Sequence, residues 1–387
     1  MKTKIAILGS TGSIGKSLLN IIQKSKKEIE VTLLTANKNY KELIKQTKKL
    51  NVKNVIINNE ESYKKFKKLN KNKRIKVYQN FNSYNQIFKT KIDYVMSSIV
   101  GIEGLRPTIN IIKFTKKIVI ANKESIICAW NLINKELKKN KTQFIPVDSE
   151  HFSIWYELQN QSLSNIDKIY LTASGGPLLK IPKKKFKELK IHQITKHPNW
   201  DMGKKISVDS STMMNKVFEV IEAKKLFDLD YNKIFIIIHP KSYIHAIIRF
   251  NDGLIKLIAH ETTMEIPIFN TIKQGEINKK ISKKVNFIDL NNLDLQKVNK
   301  NKFPFVNIIN QLPKKNSLFE TVLVAANDEF VNLFLNKKIT YTQLLKKLTK
   351  FLFKSEFLKY KLIEPKKITD ILEINNYVRS KINSKGK

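Results

Sequence analysis

Asp148 and Glu150 stand two residues apart in the run Pro146-Val147-Asp148-Ser149-Glu150-His151, directly after an apolar stretch that reads as a strand. Side chains at i and i+2 of an extended segment point to the same side. Two carboxylates brought together repel each other unless a cation or a proton lies between them. The pattern therefore suggests a hard divalent cation held by oxygen ligands. The alternative is a solvated acidic turn, with Asp148 or Ser149 capping a helix that starts near Phe152. Farther on, Ser210-Ser211-Thr212-Met213-Met214-Asn215-Lys216-Val217-Phe218-Glu219 runs into a helix expected over Ser211–Leu226. Asn215, Lys216 and Glu219 are neighbours on a helical surface. Glu219 is a candidate third ligand, Glu222 one turn on is its rival, and Asn215 with Lys216 can hold an anion alongside. Ser174-Gly175-Gly176-Pro177 offers a hydroxyl and open backbone N–H groups, the makings of a phosphate nest. His197-Pro198-Asn199-Trp200-Asp201-Met202-Gly203 reads as a loop that closes over a ligand, although a core position is the usual fate of a residue such as Trp200.

These groups need a scaffold, and the first part of the chain spells one out. Short apolar runs at Ile5–Leu8, Val31–Thr35, Val55–Ile57, Tyr94–Met96 and Ile118–Ile120 alternate with helical-period segments such as Ile14–Lys24 and Tyr40–Leu50. Strands alternating with helices imply a Rossmann-like, doubly wound parallel sheet over residues 1–147. Gly9-Ser10-Thr11-Gly12-Ser13-Ile14-Gly15 lies between the first strand and the first helix. Glycines there let the backbone turn tightly and approach a pyrophosphate at the helix N-terminus. The second strand ends in Thr35-Ala36-Asn37-Lys38-Asn39, with a cation and no acid. A carboxylate at that point would hold an NAD ribose, so Lys38 favours NADPH. Ala121-Asn122-Lys123-Glu124-Ser125 follows another strand at its carboxyl end, where open parallel sheets bind ligands.

Residues 148–275 carry strands in close succession and one strong helix, which suggests a central α+β catalytic domain with an antiparallel sheet. Residues 276–302 are polar and weakly periodic, as a linker would be. Helical periodicity returns over 303–387, in Leu318–Phe334, Tyr341–Phe353 and Thr369–Ile382, as a C-terminal helical domain.

The chain carries 72 Lys+Arg against 33 Asp+Glu, a net charge of +39, which raises the question of nucleic acid. Arginine occurs only at 74, 106, 249 and 379, and lysine is spread along the whole chain. Nucleic-acid surfaces favour the bidentate guanidinium, so the basicity reads as composition, and no nucleic-acid partner is expected. Cys128 is the single cysteine, which fits a reducing compartment. The opening residues enter a strand at once and no apolar run is long enough to span a bilayer. The expectation is a cytoplasmic protein without a membrane partner.

Taken together, the motifs GSTGSIG (Gly9–Gly15), ANKES (Ala121–Ser125), PVDSEH (Pro146–His151), SGGP (Ser174–Pro177), HPNW (His197–Trp200), KISVDSSTMMNK (Lys205–Lys216), IHPKSYIH (Ile238–His245) and AAND (Ala325–Asp328) resemble those of the 1-deoxy-D-xylulose 5-phosphate reductoisomerase family over nearly the whole chain. The resemblance implies a homodimer that rearranges and reduces a phosphorylated sugar on the methylerythritol phosphate route to isoprenoids. It implies NADPH on Thr11, Gly12, Ser13 and Ile14, with Lys38 and Asn39 at the adenosine phosphate, and further cofactor contacts from Asn37, Asn122, Glu124 and Gly203. It implies Mg²⁺ or Mn²⁺ on Asp148, Glu150 and Glu219. The substrate backbone would meet Lys123, Ser149 and Glu150, and the substrate phosphate Ser174, Ser210, Asn215 and Lys216. Trp200 would cover the substrate, His197 would assist at the phosphate, and Lys123, Glu150 and His197 would be the catalytic set. The chain departs from the family's usual pattern at Asn37 and Ala173, each replacing glycine, at Ile102-Glu103, and at Glu265 and Gln274-Gly275.

Overall fold

The computed structural model describes residues 2–25, 27–159, 161–200, 202–273, 288 and 291–384. Chain contacts divide it into two units. The first takes Met1–Ser125, Asn131–Asp148 and the described part of Met264–Ile281. The second takes Ile126–Trp130, Ser149–Thr263 and the described part of Ser282–Lys387, so the C-terminal helices share a unit with the central sheet. Most of the stretch read as a linker, and the departure at Gln274-Gly275, lies outside the described residues.

The first unit is built on β1 (Thr3–Leu8), β2 (Ile29–Ala36), β3 (Asn54–Ile57), β4 (Lys76–Tyr78), β5 (Ile92–Ser97), β6 (Thr115–Ile120) and β7 (Gln143–Pro146). They form one sheet in the order β4-β3-β2-β1-β5-β6-β7, with every pair parallel. Ile5, Ala6, Ile7 and Leu8 are all fully buried, as befits a strand covered on both faces. The strand order reverses between β1 and β5, and ligands bind such sheets outside the carboxyl ends at that point. The helices α1 (Ser13–Lys24), α2 (Tyr40–Leu50) and α3 (Lys123–Lys139) each begin just past a strand end.

The second unit opens with α4 (Ser149–Glu157) and holds a sheet of β8 (Ile166–Ala173), β9 (Ile234–Ile238), β10 (Ile244–Phe250), β11 (Ile255–Ala259) and β12 (Gln296–Lys297), in the order β11-β10-β8-β9-β12. The expected antiparallel sheet is instead mixed, because β8 and β9 run parallel. A parallel pair needs a long crossover, and here it contains α5 (Lys204–Thr212) and α6 (Met214–Phe227). These replace the single helix expected over Ser211–Leu226. Met213, at φ 64 and ψ 12, is left-handed and breaks the run. Methionine is a good helix former, so the local sequence gives no warning of a break that tertiary packing imposes. Met213 is buried in a cluster with Ala173, Ile238, Phe303 and Val306. The Ala173 methyl therefore fills core space and does not crowd the neighbouring loop. Among the C-terminal helices are α7 (Phe319–Leu335), α8 (Tyr341–Leu352) and α9 (Ile368–Asn383), close to the periods read from the sequence. Among the described residues, no helix is long and apolar enough to cross a membrane.

Candidate active site

In the first unit the glycine loop is built by close backbone approach. Gly9 sits at φ 81, and a Cβ on Gly15 would lie 2.6 Å from both the Gly9 carbonyl oxygen and the Ser10 Cα. Only glycine at 15 lets the start of α1 pack onto the turn. Gly12 is the N-cap of α1 without a side-chain cap, so the first N–H groups of the helix remain available to an anion. Asn37, Lys38 and Asn39 are exposed beyond β2, and Asn39 Oδ1 caps α2 by accepting from Glu42 N at 3.2 Å. Asn37 replaces a family glycine without taking a left-handed conformation, so asparagine's tolerance of that region is not what it uses here. Asn122 caps α3 by accepting from Ser125 N at 2.8 Å, and its Nδ2 donates to Gly101 O at 2.6 Å and to Ile99 O. Glu124 is buried in the first turn of the same helix. Lys123 Nζ is 2.7 Å from Asp148 Oδ2, a pairing of two predicted site residues.

Asp148 ends the Asn131–Asp148 segment of the first unit, and the chain passes from it straight into Ser149 and Glu150. The extended geometry expected through Glu150 does not hold. β7 ends at Pro146 and α4 begins at Ser149, three residues before the expected start near Phe152. Glu150 is thus in the first turn of a helix, and alternation along a strand does not aim it.

Within the second unit, Glu150 is aimed by its partners. Ser149 Oγ donates to Glu150 Oε2 at 2.5 Å, and Lys216 Nζ donates to Glu150 Oε1 at 2.6 Å. The same ammonium pairs with Glu219 and donates to Thr172 O at 2.6 Å. Glu219 also accepts from Asn215 Nδ2. Helix α6 is buried nearly all round, with Lys216 only 5 % and Glu219 1 % exposed. Burial by itself disfavours the Lys216 ammonium, but Glu150 and Glu219 outweigh it and hold its pKa above the ordinary lysine value. Glu222, the rival ligand, is 1 % exposed. It is no ordinary surface acid, and its Oε2 lies 3.6 Å from His151 Nδ1, while His151 Nε2 donates to Glu219 O at 2.9 Å.

The phosphate turn lies in the same unit. Gly175 (φ 81) and Gly176 (φ 64) are both left-handed. A Cβ on Gly176 would meet Ser210 O at 3.0 Å and Ser210 Oγ at 3.2 Å, so the turn abuts α5 at Ser210. Ser174 Oγ accepts from Gly176 N at 3.0 Å and contacts His197 Nε2 at 3.0 Å. His197 Nδ1 accepts from Asn199 N at 3.2 Å and Trp200 N at 3.0 Å, which leaves the proton on Nε2. That N–H donates to Ser174, whose own hydroxyl proton then points elsewhere. Burial first, and the Lys216 ammonium second, push the His197 pKa down to about 4, so the neutral ring is the working form near neutrality. His197, Pro198, Asn199, Trp200 and Met202 line an open cleft of about 480 Å³. Gly203 is the exposed N-cap of α5.

The sequence reading missed His245, which it met inside a motif but gave no role. Its ring stacks on His260 at 3.7 Å, and Trp200 stands edge-on to it at 6.0 Å. Burial, then His260, push its pKa down to about 3. Only the histidine's place beside other motif residues could have flagged it.

Three family descriptions match this chain: 1-deoxy-D-xylulose 5-phosphate reductoisomerase at residues 5–130, its C-terminal domain at 144–227, and the DXP reductoisomerase C-terminal domain at 260–381. The chain is similar to the 1-deoxy-D-xylulose 5-phosphate reductoisomerase of Pelagibacter ubique, with 55% identity over 98% of this chain and 99% of that one. The chain belongs to the 1-deoxy-D-xylulose 5-phosphate reductoisomerase family. The Clostridium tetani enzyme of the same name is 36% identical over 98% of this chain and 99% of its own length. Among solved structures, the Zymomonas mobilis reductoisomerase in complex with NADPH superposes with a TM-score of 0.90 at 29% identity, covering 100% of both chains. A reductoisomerase in complex with NADPH, fosmidomycin and magnesium gives 0.91 at 27% identity, covering 99% of this chain and 98% of that one.

Proposed function

We infer that this reductoisomerase chain converts 1-deoxy-D-xylulose 5-phosphate to 2-C-methyl-D-erythritol 4-phosphate, with NADPH as reductant and Mg²⁺ or Mn²⁺ as resident cation. The observation that carries the reading is the pair of buried carboxylates, Glu150 and Glu219, sharing the one Lys216 ammonium. Carboxylate oxygens gathered in a buried place are the donors that Mg²⁺ and Mn²⁺ prefer. The residues fit a dication, which Asp148, Glu150 and Glu219 would hold. When bound, the cation supplies the Lewis acidity that polarises the ketone and NADPH supplies the hydride.

The chain's own residues supply position and charge. Ser174, Ser210, Asn215 and Lys216 would receive the substrate phosphate, with the Ser174 hydroxyl proton left available because His197 and Gly176 donate to its oxygen. Lys123 and Glu150 would handle protons at the reacting carbons, and Ser149 fixes the Glu150 carboxylate. Trp200, braced edge-on against His245, would cover the substrate and exclude water. The cofactor would lie on Thr11, Gly12, Ser13 and Ile14, reached also by Asn37, Asn122, Glu124 and Gly203, with Lys38 and Asn39 at its adenosine phosphate.

A homodimer in the cytoplasm is part of the same proposal. In register across the second sheet, Leu257, Ile247, Tyr170 and Phe235 form one row. Leu257 is 45% and Phe235 38% exposed, and an apolar row on a sheet face invites a second copy. Cys128 is the chain's single cysteine, so no intrachain disulfide forms, which fits a reducing compartment.

The test mixes purified protein, 1-deoxy-D-xylulose 5-phosphate, NADPH and Mn²⁺ and follows loss of the reduced nicotinamide absorbance. Chelation should stop turnover and Mg²⁺ or Mn²⁺ should restore it. Turnover that survives removal of all divalent cations would point instead to a metal-free dehydrogenase.

A further inference from the structure

The AAND run, Ala325–Asp328, has no place in the chemistry above, yet it lies on α7 in the same unit as the phosphate turn. Asn327 is fully buried, and its Nδ2 donates to Asp209 Oδ1 of α5 at 2.7 Å. Next to it, Asp328 Oδ1 takes Lys205 Nζ at 2.7 Å, and Lys205 also lies 3.6 Å from Asp209 Oδ2. Arg379 of α9 completes the chain of charges, 3.1 Å from Asp328 and 3.2 Å from Glu329. From α8, the buried Tyr341 hydroxyl donates to Ser211 O at 3.0 Å, at the point where the break at Met213 takes away that carbonyl's helical partner. Helix α5 is thus gripped along Lys205, Asp209 and Ser211, while Ser210 between them meets the Gly176 turn.

The grip carries a cost. Asn327 Oδ1 is buried and has no partner among the described residues. Turning the amide over would put that oxygen against the Asp209 carboxylate, so Asp209 fixes its orientation. A leucine at 327 would take a donor from the buried Asp209 carboxylate, and the amide oxygen kept as an orphan acceptor in a core asks for a reason beyond packing.

We propose that Asn327, with Asp328 and Tyr341, is a positioning residue for the substrate phosphate: the C-terminal helices set the rotation of α5 through Asp209, Lys205 and Ser211, and so hold Ser210 against the Gly175-Gly176 turn. This rests on the reading of Ser174, Ser210, Asn215 and Lys216 as the phosphate site. A helix turns about 100° per residue, so a small rotation of α5 moves the Ser210 hydroxyl off the turn without unfolding anything.

The test compares N327D, which sets two carboxylates against each other, with the reciprocal swap D209N/N327D, which restores one donor and one acceptor at unchanged charge. Steady-state kinetics give KM for the sugar phosphate and for NADPH separately, and competition by inorganic phosphate gives a second readout. N327D should raise the sugar-phosphate KM and weaken inorganic phosphate by about tenfold or more, as expected for a misplaced hydrogen-bonding group, with the NADPH KM little changed. The swap should recover most of both. Tyr341→Phe, which removes a single hydroxyl, should shift both in the same direction by a smaller factor. Unchanged phosphate competition in folded N327D, or a swap that fails to rescue it, overturns the proposal. If N327D does not fold, Tyr341→Phe decides, and an unchanged sugar-phosphate KM there sinks it. Ser210→Ala separates the two readings. If it leaves phosphate competition unaltered, the phosphate site itself is misassigned. If it weakens competition while N327D does not, only the positioning claim falls.

Discussion

Replacing Lys216 by methionine tests the charge balance of the site without relying on turnover. The ammonium lies 2.6 Å from Glu150 Oε1, pairs also with Glu219, and donates to Thr172 O. At that separation the attraction to one carboxylate is about 6 kcal/mol at an effective dielectric near 20, much of it offset by desolvation of the lysine. Lys216→Met keeps the volume and removes the charge, leaving two buried carboxylates with no counter-ion from this residue. Breaking a buried pair in this way costs about 3–5 kcal/mol. For a unit of this size, that lowers the melting temperature by roughly 10 °C when divalent cations are chelated. The deficit should shrink with metal. The variant no longer has an ammonium competing for Glu150 and Glu219, so Mn²⁺ should raise its melting temperature more than the parent's. At a hundred times its dissociation constant, the ion restores about 2.7 kcal/mol. The assay is a thermal melt of both proteins in EDTA and across a Mn²⁺ titration. A variant that melts like the parent in EDTA, or one whose melt ignores Mn²⁺, refutes the reasoning that these two carboxylates await a dication.

Glu219→Gln should weaken Mn²⁺ dependence far more than Glu222→Gln, measured as the half-saturating metal concentration for NADPH oxidation; equal shifts count against Glu219 as ligand. Gly15→Ala puts a methyl 2.6 Å from the Gly9 carbonyl and should abolish NADPH binding in a fluorescence titration, whereas unaltered binding would mean the loop is not the cofactor cradle. Lys38→Glu should raise the NADPH KM by about tenfold, through lost attraction and added repulsion, with little effect on NADH. Acid should destabilise the fold between about pH 6.5 and 3. The unfolded chain takes up protons there while His245, held down to about 3, stays neutral in the native state. Stability from this group is complete above pH 6.5 and falls with pH by at most about 1.4 kcal/mol per unit. His245→Gln should flatten that fall in melts recorded across the range.

The parallel sheet was legible because strands such as Ile5–Leu8 are apolar on both faces, and only a doubly covered sheet demands that. The glycine loop was legible because Gly9 and Gly15 answer to backbone geometry that no other residue satisfies. The site was legible as a set of residue types, less so as a geometry. Nothing local shows that Glu150 belongs to a helix, because strand end and helix start are separated only by Val147 and Asp148. Lys216 could be singled out as a helical neighbour of Glu219, but its burial against Glu150 could not be read, since that acid lies on a distant segment. Glu222 could not be separated from Glu219 for a similar reason: α6 is covered on nearly all sides, so its polar positions carry no exposed face to read.

Met213 gives the two helices a joint that is one residue long. Downstream of such an elbow, chain length is as strict as residue type. Adding or removing a residue there would swing everything beyond it by about 100°, carrying Lys216 and Glu219 away from Glu150 while leaving each of them intact in the sequence. Side chains around the elbow can therefore be exchanged one for another, but its length cannot change without dispersing the site.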